Sequence, residues 1–152
     1  EIILEDGVNV QENCTVHMFP GKCITLKKGA HVGHGAIIHG ANLGENCMIG
    51  MNAVIMDDSE IGEECIVGAL AFVKAESKIP KRSLLVGNPA KIIKEVSEDM
   101  IAWKTAGTRL YQRLPADCHE SLEEVEPLRE IPKHRPKQEN FYNTLEEFRK
   151  KE

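Results

Sequence analysis

Aliphatic residues recur at every sixth position along the middle of the chain: Leu43, Ile49, Ile55, Ile61, Val67, Val73 and Ile79. Four positions after each of the first six stands a small side chain, at Cys47, Ala53, Ser59, Cys65, Ala71 and Ser77. Glycine follows the aliphatic residue directly at Gly44, Gly50, Gly62 and Gly68. A six-residue period is neither the 3.6 of an amphipathic helix nor the plain alternation of a half-buried strand. It fits an all-β solenoid in which each coil contributes three short parallel strands. One aliphatic side chain per face points inward, and a small one sits where the corner tightens.

The period extends towards the N-terminus. Leu4, Val10 and Val16 keep the six-residue step, as do Leu26, Val32 and Ile38, with Cys14, Ala30 and Ala36 in the small position. The ten-residue step from Val16 to Leu26 predicts a loop at Phe19-Pro20-Gly21-Lys22, and the five-residue step from Ile38 to Leu43 marks a one-residue deletion. With Leu4 and Leu26 on face one, Val10 and Val32 fall on face two and Val16 and Ile38 on face three. His17 and His39 then hold the same offset on face three in successive coils. Strands of neighbouring coils lie about 4.8 Å apart, so the two imidazoles stack at chelating distance. His34 lies at a different offset on face two, out of easy reach on its own coil but within reach from an adjacent subunit.

Beyond Ile79 the repeat fades. Gly87-Asn88-Pro89-Ala90-Lys91 reads as the turn that ends the solenoid, and Ile92-Ile93 as its exit. Ser97 before Glu98 and Asp99 predicts a helix N-terminus, with a helix through Trp103 to about Leu114. Pro115-Ala116-Asp117 is expected to open a second, shorter helix. The expected division is a β-helix over 1–93, C-terminal helices packed on it over 94–131, and a flexible tail over 132–152 with a nascent helix near 144–150.

Composition narrows the function classes. A chain of 152 residues supports one core. A net charge of -5 offers no electrostatic footprint for nucleic acid. No apolar run approaches the length of a membrane span, and no secretory leader is expected. The five cysteines include no C-x-x-C pair, which favours reduced thiols in a cytoplasmic protein over a disulfide frame or zinc ribbon. Cys14, Cys47 and Cys65 are expected to be packing residues, His31 a surface or interface residue, and His119 and His134 solvated. Met18 and Phe19 read either as plain packing or as the wall of a substrate cleft at a subunit boundary. Trp103 and Tyr111 share one helical face suited to docking.

Together the six-residue repeat, the stretch Val32-Gly33-His34-Gly35-Ala36-Ile37-Ile38-His39-Gly40, the upstream Asn9-Val10-Gln11-Glu12-Asn13-Cys14 with His17, and the closing Val86-Gly87-Asn88-Pro89-Ala90-Lys91 resemble the γ-class carbonic anhydrase-like hexapeptide proteins. The Met51-Asn52-Ala53-Val54 context, the helix around Trp103-Lys104 and Glu126-Pro127-Leu128-Arg129-Glu130 are most similar to the PaaY/CaiE branch, associated with phenylacetate degradation and carnitine metabolism. The resemblance spans roughly residues 1–131. It implies a left-handed parallel β-helix, a homotrimer, and zinc (or iron or cobalt) at each subunit interface. The implied ligands are His17 and His39 of one chain and His34 of the next, the assignment that the face count also reaches.

Three nitrogens with an open fourth position describe a catalytic ion, which lowers the pKa of its water to about 7. The expected substrates are CO2/bicarbonate or a CoA thioester. By resemblance, Gln11 positions the attacking water, Asn9 is a second site amide, and Glu12 stands where the family usually has Asp. Met18, Phe19 and Tyr111 are the candidate substrate contacts. Two features depart from the family. Its Arg-Gly-Asp stretch one coil earlier has no counterpart here, so a preceding coil is expected to be missing, with a loss of stability. Its proton-shuttle glutamates are also unmatched, one falling in that segment and the other at Pro20, which carries no proton. Slow proton export tilts the reading towards a thioesterase rather than a fast CO2 hydratase. The alternatives are a metal-free hexapeptide acyltransferase using acyl-CoA with a histidine base, and a non-catalytic accessory protein of a CoA pathway.

Overall fold

Three parallel sheets wind around one axis as a left-handed β-helix, followed by a helix that folds back along it. A computed structural model of the chain describes residues 1–135 and 142–150. Sheet one stacks strands Ile2–Leu4, Ile24–Leu26, Asn42–Leu43, Glu60–Ile61 and Lys78–Ile79. Sheet two stacks Asn9–Val10, His31–Val32, Met48–Ile49, Ile66–Val67 and Ser83–Val86, with Lys91–Glu95 added antiparallel. Sheet three stacks Thr15–His17, Ile37–His39, Val54–Ile55 and Phe72–Val73. The register is the one expected from the face count: Leu4 pairs with Leu26, Val10 with Val32, and Val16 with Ile38.

Inside, the aliphatic residues stack into a continuous core in which Leu26, Val32, Ile38, Ile49 and Ile55 are fully buried. Cys47, Ala53, Ser59, Cys65 and Ala71 fill the tight positions beside them. All five cysteines are free thiols. Burial raises the Cys47 thiol to about 12, so it packs as a small apolar group. The corners need left-handed backbone, and residues of quite different type adopt it in columns. Gly35, Asn52 and Leu70 form one such column, and Asp58 and Glu76 another.

The three outer faces differ. Sheet one presents a polar ladder: Asn42 accepts from the Thr25 N–H at 2.7 Å and donates to Glu60 at 3.1 Å, and Lys78 pairs with Glu60 at 3.6 Å. Sheet three presents Ile37, Val54 and Phe72, all half-buried. Sheet two is covered by helix α1 (Glu98–Ser121), which Ser97 caps by accepting from Met100 N.

Helix α1 docks through Met100, Lys104, Thr108 and Gln112, one contact per turn. Four helical residues rise about 6 Å, close to the spacing of about 4.8 Å between coils, so each turn meets the next coil. Met100 packs with Ile66, and Lys104 Nζ donates to Asn46 O at 2.7 Å as well as to Asn46 Oδ1. Thr108 meets His31, and Gln112 donates to Gly7 O at 2.7 Å. Against expectation, α1 runs straight through Pro115. This end of the helix is largely exposed, where the hydrogen bond that proline removes costs least.

A short helix α2 (Leu145–Arg149), capped by Thr144 and Glu147, packs on α1, and Arg149 bonds Asp99 at 3.2 Å. Residues 136–141, 151 and 152 of the expected tail lie outside the described residues. No helix among the described residues is long and apolar enough to cross a membrane.

Candidate functional site

The sheet-three register puts His17 directly over His39 as Cα partners. Their rings stack with centroids 4.8 Å apart at 25° between planes. Phe19, on the loop expected between Val16 and Leu26, meets both rings edge-on, at 5.8 Å from His17 and 5.4 Å from His39. Met18 turns inward against the core. Phe19 thus walls the histidine pair, while Met18 is a packing residue.

His39 is fixed from below. Its Nδ1 lies 2.9 Å from Asp57 Oδ1, contributed by the following coil. A carboxylate only accepts, so Nδ1 is the donor in this contact, and in the neutral ring the lone pair is then on Nε2. One corner away His34 Nδ1 lies 2.8 Å from Glu12 Oε2, an ion-pair contact without the directed hydrogen bond that Asp57 makes to His39. In each ring Nδ1 is the nitrogen engaged by a carboxylate, and Nε2 is left as the one that could ligate a metal. Among the described residues of a single chain, no three His, Cys, Asp or Glu side chains gather closely enough to hold an ion. His17 and His39 are brought together, and His34 is held apart from them with Glu12 and Gln11. The donor chemistry fits a divalent cation, provided that a third imidazole comes from elsewhere.

Gln11 is buried and both ends of its amide are engaged. Its Oε1 accepts from His34 N–H at 3.0 Å, which orients Nε2–H towards His31 Nε2, also at 3.0 Å. His31 must then accept there and donate from Nδ1 to Thr108 Oγ1 at 3.4 Å, whose hydroxyl donates to Lys104 O. Tyr111 closes this network with its ring 5.1 Å from His31. Asn9, the strand partner of His31, keeps a buried Oδ1 without a protein partner.

Of the surface or interface position expected for His31, the exposed surface is ruled out: it is 8 % exposed, beneath α1. It lies on the outward row of sheet two, the row that α1 covers. Burial first, then Lys104 and His34, lowers its pKa from 6.5 to about 4. Sequence reading also missed Asp57, Lys104 and Thr108. Lys104 is 4 % exposed, and burial lowers it to about 8.

Because unfolded His31 takes a proton near 6.5 and the folded residue only near 4, unfolding gains a proton between those values. Stability is full above pH 6.5 and falls towards pH 4, by about 3 kcal/mol from this residue. Urea midpoints at pH 7 and pH 4.5 should differ accordingly, and His31→Gln should flatten the dependence. An unchanged slope in that variant would refute the assignment.

Between α1 and sheet two lies a cleft of about 950 Å³, lined by Gln11, His34, Met48, Met51, Trp103 and Tyr111 among others. His34 and Gln11 stand in its wall, so apolar space adjoins the proposed ligand.

A family model of the bacterial transferase hexapeptide, six repeats, matches residues 40–75. The carnitine operon protein CaiE of Escherichia coli is 43 % identical over 136 residues, covering 90 % of this chain and 69 % of the relative. The chain belongs to the hexapeptide-repeat family. Its similarity to CaiE agrees with the branch to which the motifs pointed. A hexapeptide transferase family protein from Anaplasma phagocytophilum superposes with a TM-score of 0.70 at 25 % identity, over 75 % of this chain and 67 % of that one. A candidate acetyltransferase from Bacillus cereus does so at 0.65 with 36 % identity, over 73 % and 67 %. This family therefore includes acetyltransferases as well as CaiE, and the fold alone does not select a reaction.

Proposed function

We propose that the chain forms a homotrimer that binds a divalent cation, zinc in the first instance, at each subunit interface and hydrolyses a CoA thioester or hydrates CO2. The observation that carries this reading is the stacked His17–His39 pair, with His39 bonded through Nδ1 to Asp57, which leaves Nε2 for a ligand. In this reading His34 of the neighbouring subunit completes the set. The half-buried apolar row Ile37, Val54 and Phe72 beside His39 supplies the surface for that neighbour.

A divalent ion held by three imidazoles supplies Lewis acidity and a water-derived nucleophile at neutral pH. The chain's own residues do the rest. Asp57 holds a proton at Nδ1 of His39 and fixes that ring, and Glu12 lies in ion-pair contact with Nδ1 of His34. Gln11 fixes the backbone of His34 through its N–H, and neutral His31 fixes Gln11. Phe19 shields the edges of the histidine pair from water. The cleft beside His34, with Met48, Met51 and Tyr111 in its wall, takes the acyl portion of a substrate.

A second reading, acyl transfer from acyl-CoA with a histidine base and no metal, is favoured by the likeness to the Bacillus cereus protein. The two separate in one experiment. Purified protein is assayed for thioester hydrolysis and CO2 hydration before and after dialysis against a chelator, then after zinc is returned. Activity that disappears and comes back with zinc supports the hydrolytic reading. CoA-dependent acyl transfer indifferent to the chelator replaces it with the second.

A further inference from the structure

Asp57 lies one coil beyond the proposed metal ligand with which it bonds, and its side chain crosses a gap that only glycine leaves open. Ile38 pairs with Ile55, so the residue beneath Asp57 in the stack is Gly40. A Cβ on Gly40 would stand 2.7 Å from Asp57 Oδ1. Gly40 also has φ +71°, where an L side chain is strained. The bare corner therefore lets the carboxylate lie over it and reach His39 Nδ1. The ring so bonded is gripped on its other sides by the His17 stack and the Phe19 edge, which leaves it little rotation.

We infer that Asp57 is a positioning residue that fixes His39 as the Nδ1-protonated tautomer and thereby sets how tightly the interface holds a divalent cation. This rests on the metal-site reading above. Two arguments give it weight. Hydrogen bonding to a carboxylate both orients an imidazole and raises its basicity as a ligand. In addition, Asp57 and Glu12 together carry two negative charges, which balance the charge of a dication bound by neutral imidazoles. The two carboxylates are not equivalent, however. In the single chain the Asp57 side chain is 24 % exposed and that of Glu12 78 %, and only Asp57 makes a directed hydrogen bond to its histidine. Asp57 is the stronger determinant of affinity.

The test uses metal-free protein and zinc. Nitrogen-15 histidine NMR of the metal-free wild type reports the tautomer of His39, and competition with a chromophoric chelator gives zinc affinities of wild type, Asp57→Ala, Asp57→Asn and Glu12→Ala. The expected result is Nδ1–H on His39 in the wild type and a mixture of tautomers in Asp57→Ala. Zinc affinity should fall about 10- to 100-fold in Asp57→Ala, by less in Asp57→Asn, which keeps an acceptor, and least in Glu12→Ala. Asp57→Asn, close to isosteric, keeps the test available if the alanine variant does not fold. A purely structural Asp57 would lower the melting temperature and leave affinity and tautomer unchanged, which overturns the inference. Nε2–H on wild-type His39 overturns it as well. Wild type that takes up no zinc while His39 shows Nδ1–H overturns the metal-site reading, and the affinity role of Asp57 falls with it. Equal zinc binding by wild type and Asp57→Ala removes only the role of Asp57.

Discussion

Two variants that are each without metal and activity, His34→Ala and His39→Ala, should regain both when they are refolded together. Each proposed site takes His17 and His39 from one chain and His34 from the next. In a closed ring of three that contains both variants, one junction joins a chain with intact His39 to a chain with intact His34. One site in three is then complete, so a mixed trimer recovers about a third of full occupancy. Random assembly at equal ratio leaves some trimers pure and brings the bulk value to about a quarter. The single variants set a low background. Zinc sites with four protein ligands bind with ~10–16 kcal/mol, or about 3–4 kcal/mol per ligand, so losing one costs on the order of a hundred- to a thousandfold in affinity. Zinc per chain by elemental analysis and thioester hydrolysis should rise in parallel in the mixture. Failure of the mixture to exceed its parents, with trimers formed, would mean that the histidines are not shared across subunits.

That prediction was legible in the sequence because offsets along a solenoid are conserved by counting. His17 follows Val16 and His39 follows Ile38, and once those aliphatic residues share a face the imidazoles must stack, as they do at 4.8 Å. Asp57 was hidden for a geometric reason. It belongs to the coil after His39, and its reach depends on the absence of a side chain at Gly40, which no hydrophobic pattern encodes. His31 had a usable signal that was missed. It shares an outward row with Met48, Ile66 and Leu84, too apolar to face water, so a covering element was implied. Helix α1 gave little warning of how it docks, since Lys104, Thr108 and Gln112 are polar. Their positions make sense only once Asn46, His31 and the Gly7 carbonyl stand opposite them. Pro115 marks the converse limit. Its local preference against helix is real, yet an exposed helix end tolerates it where a buried one would not.

Ile38→Ala should cost far more stability than Ile79→Ala, although the chemical change is the same. Ile38 has no exposed surface and pairs in register with Val16 on one side and Ile55 on the other. Its truncation leaves a cavity between two coils, and neither can collapse into it without breaking strand hydrogen bonds to its own neighbours. The expected loss is about 2–5 kcal/mol. Ile79 is only partly buried against the core and pairs with Ile61 on one side. Water or a small shift of the last coil can take up the lost volume, so the cost falls to about half or less. Urea unfolding midpoints with unchanged slopes give both values directly. The site supplies a second readout, because Ile38 is the covalent neighbour of His39 and packs beneath it. Loosening that coil frees the ring from the His17 stack, so Ile38→Ala should weaken zinc binding while Ile79→Ala leaves it alone. Equal stability losses at both positions would contradict a structure whose energetics are set by contact between adjacent coils. Metal affinity unchanged in Ile38→Ala would mean that Asp57 and Phe19 hold the ring without help from the core.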